Sequence, residues 1–378
     1  MPLFHTEDQT MLADTVRHFL AKEAPVRHMR ALRDADDRTG FSRELWKRFA
    51  ELGLNGVLIE EADGGLGLGH VEAGIVLGEI GRNLTPSPFL ATAVGAVMTL
   101  RGGSAAQRQA WLPRILTGEA VGALAIDEGV RHRPDRIGLQ AERIGKGFRL
   151  MGEKRFVTCG HAADFLIVPA RTAGSDGEEL GLTLFLIERN TADLRIETER
   201  LTDSSLVARL RFDGVEAFAD AVIGELDNGF GGLKQTLSAL RAGTSAEMMG
   251  VGSGAFAMTL DYLKQRKQFG RLIGSFQALQ HRAAHVHTEM EVARASILKA
   301  QQLLDCDDTG AEQAVMVAKA MTGMASALAV KEGIQMHGGI GMTDEYDIGF
   351  YMKRQRVLAE LFGDVDYHSN RLAQLAGY

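Results

Sequence analysis

From Thr6 to Leu116 apolar side chains recur with the spacing of a helix face. Thr6 and Gln9 stand three apart, the pattern in which a hydroxyl and an amide side chain each satisfy an orphan backbone donor at a helix start. Leu12, Val16, Phe19 and Leu20 then share one face, and Leu45, Phe49 and Leu52 repeat it before Gly53 stops the helix. Further helices are predicted over Val71–Ile80, Phe89–Leu100 and Ala106–Leu116. The glycine-dense stretch Glu60–Gly69 is predicted to be a bend, because no strand precedes it and no lysine follows, as a phosphate loop requires.

Near Val121 the period shortens to two, the signature of strands. VGALAID is one strand, and AERI, GKG and FRLMGEKRFV form a hairpin whose predicted turn is Gly145-Lys146-Gly147. GLTLFLIE, LRIETE and ARLRFDG carry the alternation to Ile223, giving an all-β insert predicted to be a small sandwich or barrel. From Phe230 the helical period returns in long stretches at 230–266, 276–306, 311–336 and 347–362, which predict an antiparallel four-helix bundle. The fold class is therefore α+β and multidomain: an α-helical N-terminal domain (1–119), a central β-domain (120–225) and a C-terminal bundle (226–378). Gly250, Gly252 and Gly254 lie inside a helical pattern, where close helix packing explains them better than a nucleotide box. The Ala- and Met-rich third long helix is expected to be ordinary core.

Composition narrows the classes. The 378 residues are 45% hydrophobic and 24% charged, enough apolar surface to exclude disorder as the main state. A net charge of −7 argues against a nucleic-acid backbone or an anionic membrane as partner. No apolar run approaches the ~18 residues that span a bilayer, and Glu7 and Asp8 stand where a signal peptide carries positive charge. Two cysteines, Cys159 and Cys306, are too sparse for a disulfide framework, so a cytoplasmic location is expected. His281, His285 and His287 form the tightest histidine group but lack an acid at a metal-ligand spacing, so no metal site is expected.

Three segments carry chemistry. Gln265-Arg266-Lys267-Gln268-Phe269-Gly270 ends a long helix and is followed by Phe276-Gln277-Ala278-Leu279-Gln280-His281. Basic residues in a last turn and a glycine after it are also what plain helix termination uses. Gln335-Met336-His337-Gly338-Gly339-Ile340-Gly341 ends another helix, as a C-cap or as backbone N–H groups open to a pyrophosphate. Gly152-Glu153-Lys154-Arg155-Phe156-Val157-Thr158 runs along a strand, with an aromatic and a hydroxyl two apart on one face.

In this order and on these elements, the segments resemble the acyl-CoA dehydrogenase family over essentially the whole chain. The resemblance rests on YLKQRKQFG, FQALQH, QMHGGIGMTDEY and GEKRFVT. It implies FAD shared between subunits of a tetramer. Arg266, Phe269 and Gln277 would meet its diphosphate and adenosine, and Gln335, Gly338 and Gly339 would reach the cofactor of a neighbouring subunit. Phe156 would stack on the isoalloxazine and Thr158 would donate to it. The strand holding Ile126 and Asp127 matches the flavin-edge strand, with Asp127 where the family usually has Thr or Ser. The implied reaction is α,β-dehydrogenation of an acyl-CoA thioester, with electrons passed to an electron-transferring flavoprotein.

The same comparison places a phenyl ring where the base belongs. Counted from Gly338-Gly339, the base position is Phe362; the alternative position, before Arg241, is Leu240. Glu360 and Glu247 are substitute carboxylates, Arg241 a candidate substrate contact, and Asp364 a candidate for the FAD ribose. The loop 128–135, with Arg131, His132 and Arg133, replaces the family's pantetheine-holding loop. The ending Leu361–Ala373 is similar to small subunits of bacterial heteromeric members, such as the pimeloyl-CoA type. Three readings follow: a dehydrogenase in a homo- or heterotetramer, a base-lacking structural subunit, or a flavin monooxygenase on the same fold.

Overall fold

The computed structural model describes residues 2–175 and 177–378. The N-terminal helices are α1 (Glu7–Glu23), α2 (Val26–Asp34), α3 (Arg43–Glu51) and α4 (His70–Arg82). Thr6 and Gln9 close the reciprocal cap on α1, and Gly53, at φ +75°, takes the left-handed turn that ends the α3 region. Over Leu90–Ala96 the expected α-helix is widened into π-type turns before α5 (Val97–Leu100). There the Thr92 hydroxyl donates to Gly122 O at 2.9 Å. Helix α6 (Ala105–Leu116) follows.

The central strands are β1 (Gly122–Leu124), β2 (Gln140–Ile144), β3 (Gly147–Thr158), β4 (Phe165–Arg171), β5 (Leu182–Glu188), β6 (Leu194–Arg200), β7 (Leu206–Phe218) and β8 (Val222–Ile223). They form one mixed eight-stranded sheet in the order β6-β7-β3-β2-β4-β5-β8, with β1 parallel to β4. The expected β-domain is present as one hydrogen-bonded sheet, in which a single pair, Gln140 opposite Arg171, joins the β2 and β4 halves. The hairpin turn is tighter than the glycines suggested: Ile144 pairs with Gly147, leaving only Gly145-Lys146 in the loop. Strand β4 escaped the alternation pattern because all seven of its residues are buried.

The remaining elements are α7 (Phe230–Gln265), the short hairpin β9 (Lys267–Gln268) and β10 (Arg271–Leu272), α8 (Gln277–Asp305), α9 (Ala311–His337), α10 (Ile348–Glu360) and α11 (Val365–Leu375). By length and composition α9 could cross a membrane, but most of its apolar stretch is covered inside the fold.

Compactness divides the chain differently from periodicity. One unit gathers the chain up to Asp34, Gly69–Pro86 and Arg241–Tyr378; the other gathers 35–68 and 87–240. In the first unit α4 lies against α1 and α8, and Met29, Leu84, Met248, Val251, Val330, Phe350 and Leu358 share one core.

Glycines set the closest approach in that unit. A Cβ added at Gly250 would lie 1.9 Å from Gly78 O, and one at Gly81 would lie 2.1 Å from Glu247 O. At Gly252 the same atom would sit 3.4 Å from Ser326, an ordinary contact. Gly250→Ala should therefore lower stability by about 2–3 kcal/mol through overpacking. Gly252→Ala should be neutral or stabilising by up to about 1 kcal/mol, since Ala suits a helix interior better. Urea unfolding of the two variants measures this; equal midpoints would refute the packing account.

Candidate active site

The segment expected at the flavin edge is built by β1, the chain that leaves it, and β3. Ala125 N–H donates to Ile167 O at 2.9 Å, and beyond it the strand is gripped through its carbonyls. Lys154, fully buried in β3, donates from Nζ to Ile126 O (3.2 Å) and to the Glu128 carboxylate (2.7 Å). Arg155 N–H donates to Asp127 O at 2.7 Å. Burial pulls the Lys154 ammonium below its ordinary pKa, and the Glu128 charge pulls it back up. Glu128 also accepts from Gly138 N–H (2.8 Å) and Leu139 N–H (3.0 Å), closing both ends of the intervening loop.

With the carbonyls engaged, the amide N–H groups of Ile126, Asp127 and Glu128 donate to no acceptor among the described residues. Unfilled donors in a row suit the acceptor edge of an isoalloxazine. Strict alternation along β3 would put Lys154, Phe156 and Thr158 on one face. A bulge between Lys154 and Val157 separates them. Phe156 adopts φ +52° and stands 37% exposed, while Lys154 is buried and Thr158 half-buried. The bulge thus turns the aromatic outward from the clasp.

In the other unit the dinucleotide motifs sit on helix ends. Tyr262, one turn before Arg266, stacks on His337 at 4.4 Å, and His337 packs against Tyr346 at 4.9 Å. This aromatic cluster brings the end of α7 beside the Gly338-Gly339 turn. His337 Nδ1 meets Gly333 O at 2.6 Å, and burial lowers its pKa. Beyond α7, the β9–β10 hairpin carries Phe269 at its tip, 91% exposed and edge-on to Phe276 at 6.2 Å. Gln277 opens α8 directly after Phe276. Arg266 is exposed without a carboxylate partner among the described residues, Gln335 is exposed, and an added Cβ at Gly338 or Gly339 would meet nothing within 4 Å. Guanidinium, amide and open backbone form a donor set for a diphosphate. On a single chain these groups face outward.

The end of α10 is held by two buried cations. Lys319 donates from Nζ to Leu358 O (3.2 Å), Ala359 O (3.0 Å) and Gly363 O (2.8 Å). Arg241 donates from Nε to Phe362 O at 3.0 Å, and its guanidinium lies 5.5 Å from the centre of the Tyr367 ring. Phe362 itself is buried at φ +59°, a left-handed position that a non-glycine residue occupies at a cost of about 1–2 kcal/mol. Burial and the neighbouring Arg241 push Lys319 down to about 7. Nothing in the sequence singled out Lys319 except that it is a lone charge in the apolar run VMVAKAMTG.

The substitute carboxylates are occupied or turned away. Glu360 is exposed at the last position of α10. Asp364 accepts from Tyr367 N–H at 2.7 Å and caps α11. Glu247, buried on α7, accepts from Arg354 at 2.5 and 3.0 Å. Arg241 is buried against the Phe362 turn. In the second unit Leu240 is buried over Gly95. His281, His285 and His287 are exposed, and no cluster able to hold a metal occurs among the described residues.

An outward aromatic beside unfilled amide donors, with arginine- and glycine-bearing helix ends, is the equipment of a protein that holds a flavin dinucleotide. Models of the acyl-CoA dehydrogenase N-terminal and C-terminal domains match residues 6–119 and 227–376. An acyl-CoA dehydrogenase of Bacillus subtilis (strain 168) is 30% identical over 361 residues, 93% of this chain and 93% of its own length. Among solved structures, a variant of the Tcur3481-Tcur3483 steroid ACAD has a TM-score of 0.88 at 31% identity, covering 98% of both chains. The ChsE4-ChsE5 complex of Mycobacterium tuberculosis gives 0.89 at 25% identity, covering 100% of both. The chain belongs to the acyl-CoA dehydrogenase family, FAD-binding oxidoreductases that act on CH–CH bonds.

Lys319 has a pH signature. Its folded pKa, about 7, lies below the ordinary 10.5, so between these values the unfolded chain holds a proton that the folded chain has released. Stability relative to Lys319→Met should then rise with pH from about 7 toward 10.5, by at most about 1.4 kcal/mol per pH unit. Below pH 7 the difference should be flat. Parallel melting curves for the two proteins across this range would show that the lysine is not buried as described.

Proposed function

We propose that this chain is the base-lacking subunit of a heteromeric, FAD-dependent acyl-CoA dehydrogenase, close to the pimeloyl-CoA small-subunit type. The observation that carries the reading is the end of α10, where the position that counting from Gly338-Gly339 assigns to the base is Phe362, and the nearby carboxylates are exposed, capping or paired. A general base must reach the proton it removes, and a phenyl ring has no basic atom. Similarity to the ChsE4-ChsE5 complex supports an assembly of two related chains.

FAD, when bound, supplies the hydride acceptor for α,β-dehydrogenation of an acyl-CoA thioester. This chain's own part is to hold it. The free amides at Ile126–Glu128, with Phe156 and Thr158, would fix the ring system. Arg266, Phe269, Gln277, Gln335, Gly338 and Gly339 would hold the diphosphate and adenosine across a subunit boundary. The partner chain would supply the carboxylate that takes the α-proton, and an electron-transferring flavoprotein would take the electrons. The proposed working place is the cytoplasm, which suits cysteines that form no disulfide.

The purified chain should bind FAD at or below one per subunit. Acyl-CoA added anaerobically should leave its colour unchanged until the partner chain is mixed in. Bleaching by the chain alone would overturn the assignment. Phe362→Glu should raise exchange of the α-proton of bound thioester with deuterated solvent by at least tenfold. An unchanged rate with thioester demonstrably bound would show that position 362 is not the base position.

A further inference from the structure

The segment that matches the family's flavin-edge strand departs from it in charge, because Asp127 stands where a neutral hydroxyl is usual. A hydroxyl both donates and accepts, whereas an ionised carboxylate only accepts. The Asp127 carboxylate is neither loose nor turned into bulk water. Its Oδ1 lies 2.8 Å from His132 Nδ1, with the Asp127 side chain 17% exposed and that of His132 6% exposed. The neighbouring charges on this platform are already committed: Glu128 and Lys154 pair with each other at 2.7 Å, and Glu153 is shared by Arg155 and Arg209. The backbone of Asp127 is fixed through its carbonyl by Arg155 N–H. The result is a carboxylate held in one place on the segment whose N–H groups are free.

We propose that Asp127, positioned by His132, is a redox-tuning residue that makes the FAD of this chain harder to reduce. The proposal rests on FAD lying along residues 126–128, as in the functional reading above. Arrival of an electron pair raises the negative charge on the flavin ring system. A fixed carboxylate beside that ring opposes the change, more strongly in a partly buried setting than in water. A Thr or Ser at the same place would exert no such charge. His132 acts through Asp127: by holding the carboxylate on the loop it prevents the side chain from swinging into solvent, where screening would cancel its effect.

The test is the midpoint potential of the FAD-loaded protein in its native assembly, from dye-equilibrated reductive titration of wild type and four variants. Asp127→Asn keeps the shape and removes the charge, and Asp127→Thr restores a hydroxyl. At a fixed potential both should shift the ratio of reduced to oxidised flavin about tenfold toward reduced, ~30 mV for a two-electron couple. His132→Ala should fall between wild type and Asp127→Asn. Asp135→Asn, which removes an exposed charge from the same loop, should match wild type. An unchanged ratio in both Asp127 variants with FAD fully bound overturns the proposal, as does an equal shift in Asp135→Asn. A His132→Ala value at or below wild type overturns the positioning role. Failure of the wild-type assembly to bind FAD would instead sink the functional reading itself.

Discussion

A lysine ammonium buried among backbone carbonyls is the constraint on which the functional segment of each unit depends. Lys154 grips Ile126 O, and Lys319 grips the last carbonyls of α10 together with Gly363 O. A buried charge is tolerated only when donors and acceptors match, so each lysine fixes the backbone around it. In the β-sheet unit the effect is to engage the carbonyls of Ile126 and Asp127, while the amides of residues 126–128 find no acceptor among the described residues. In the helical unit it is to hold a turn containing a left-handed phenylalanine. The first arrangement leaves donors open along one segment, and the second fixes the backbone at the Phe362 turn.

The groups proposed to hold the dinucleotide have the opposite character. Arg266, Phe269, Gln277, Gln335 and Gly338-Gly339 lie on the surface of a single chain, at helix ends and on a two-stranded hairpin. A phenyl ring as exposed as Phe269 is a costly surface for a free protomer. Groups of this kind make sense when a neighbour covers them.

Much of the candidate site was legible from residue order. Capping at Thr6–Gln9 and the helix stop at Gly53 followed from local rules, because each concerns residues within a turn or two of one another. Strand β4 did not, since a strand buried on both faces loses its alternation and Pro169 disguised it further. The π-type turns at 90–96 were likewise hidden, as their hydrophobic spacing differs little from that of an α-helix. The partners of Glu247, Asp364 and Lys319 lie far off in sequence or across a cap, so their availability as bases or buried cations was a question of tertiary contact.

The order of residues alone determined which chemical groups this protein has: the arginine, glutamine and glycine motifs, Phe362 near the end of the bundle, and Asp127 after the first strand. Only the folded chain decided which of them are free to act. Alternation along β3 would have buried Phe156 with Lys154, and one extra residue in the ladder separates them. That difference comes from pairing with a strand some fifty residues away, because a bulge exists only relative to the partner it slips against.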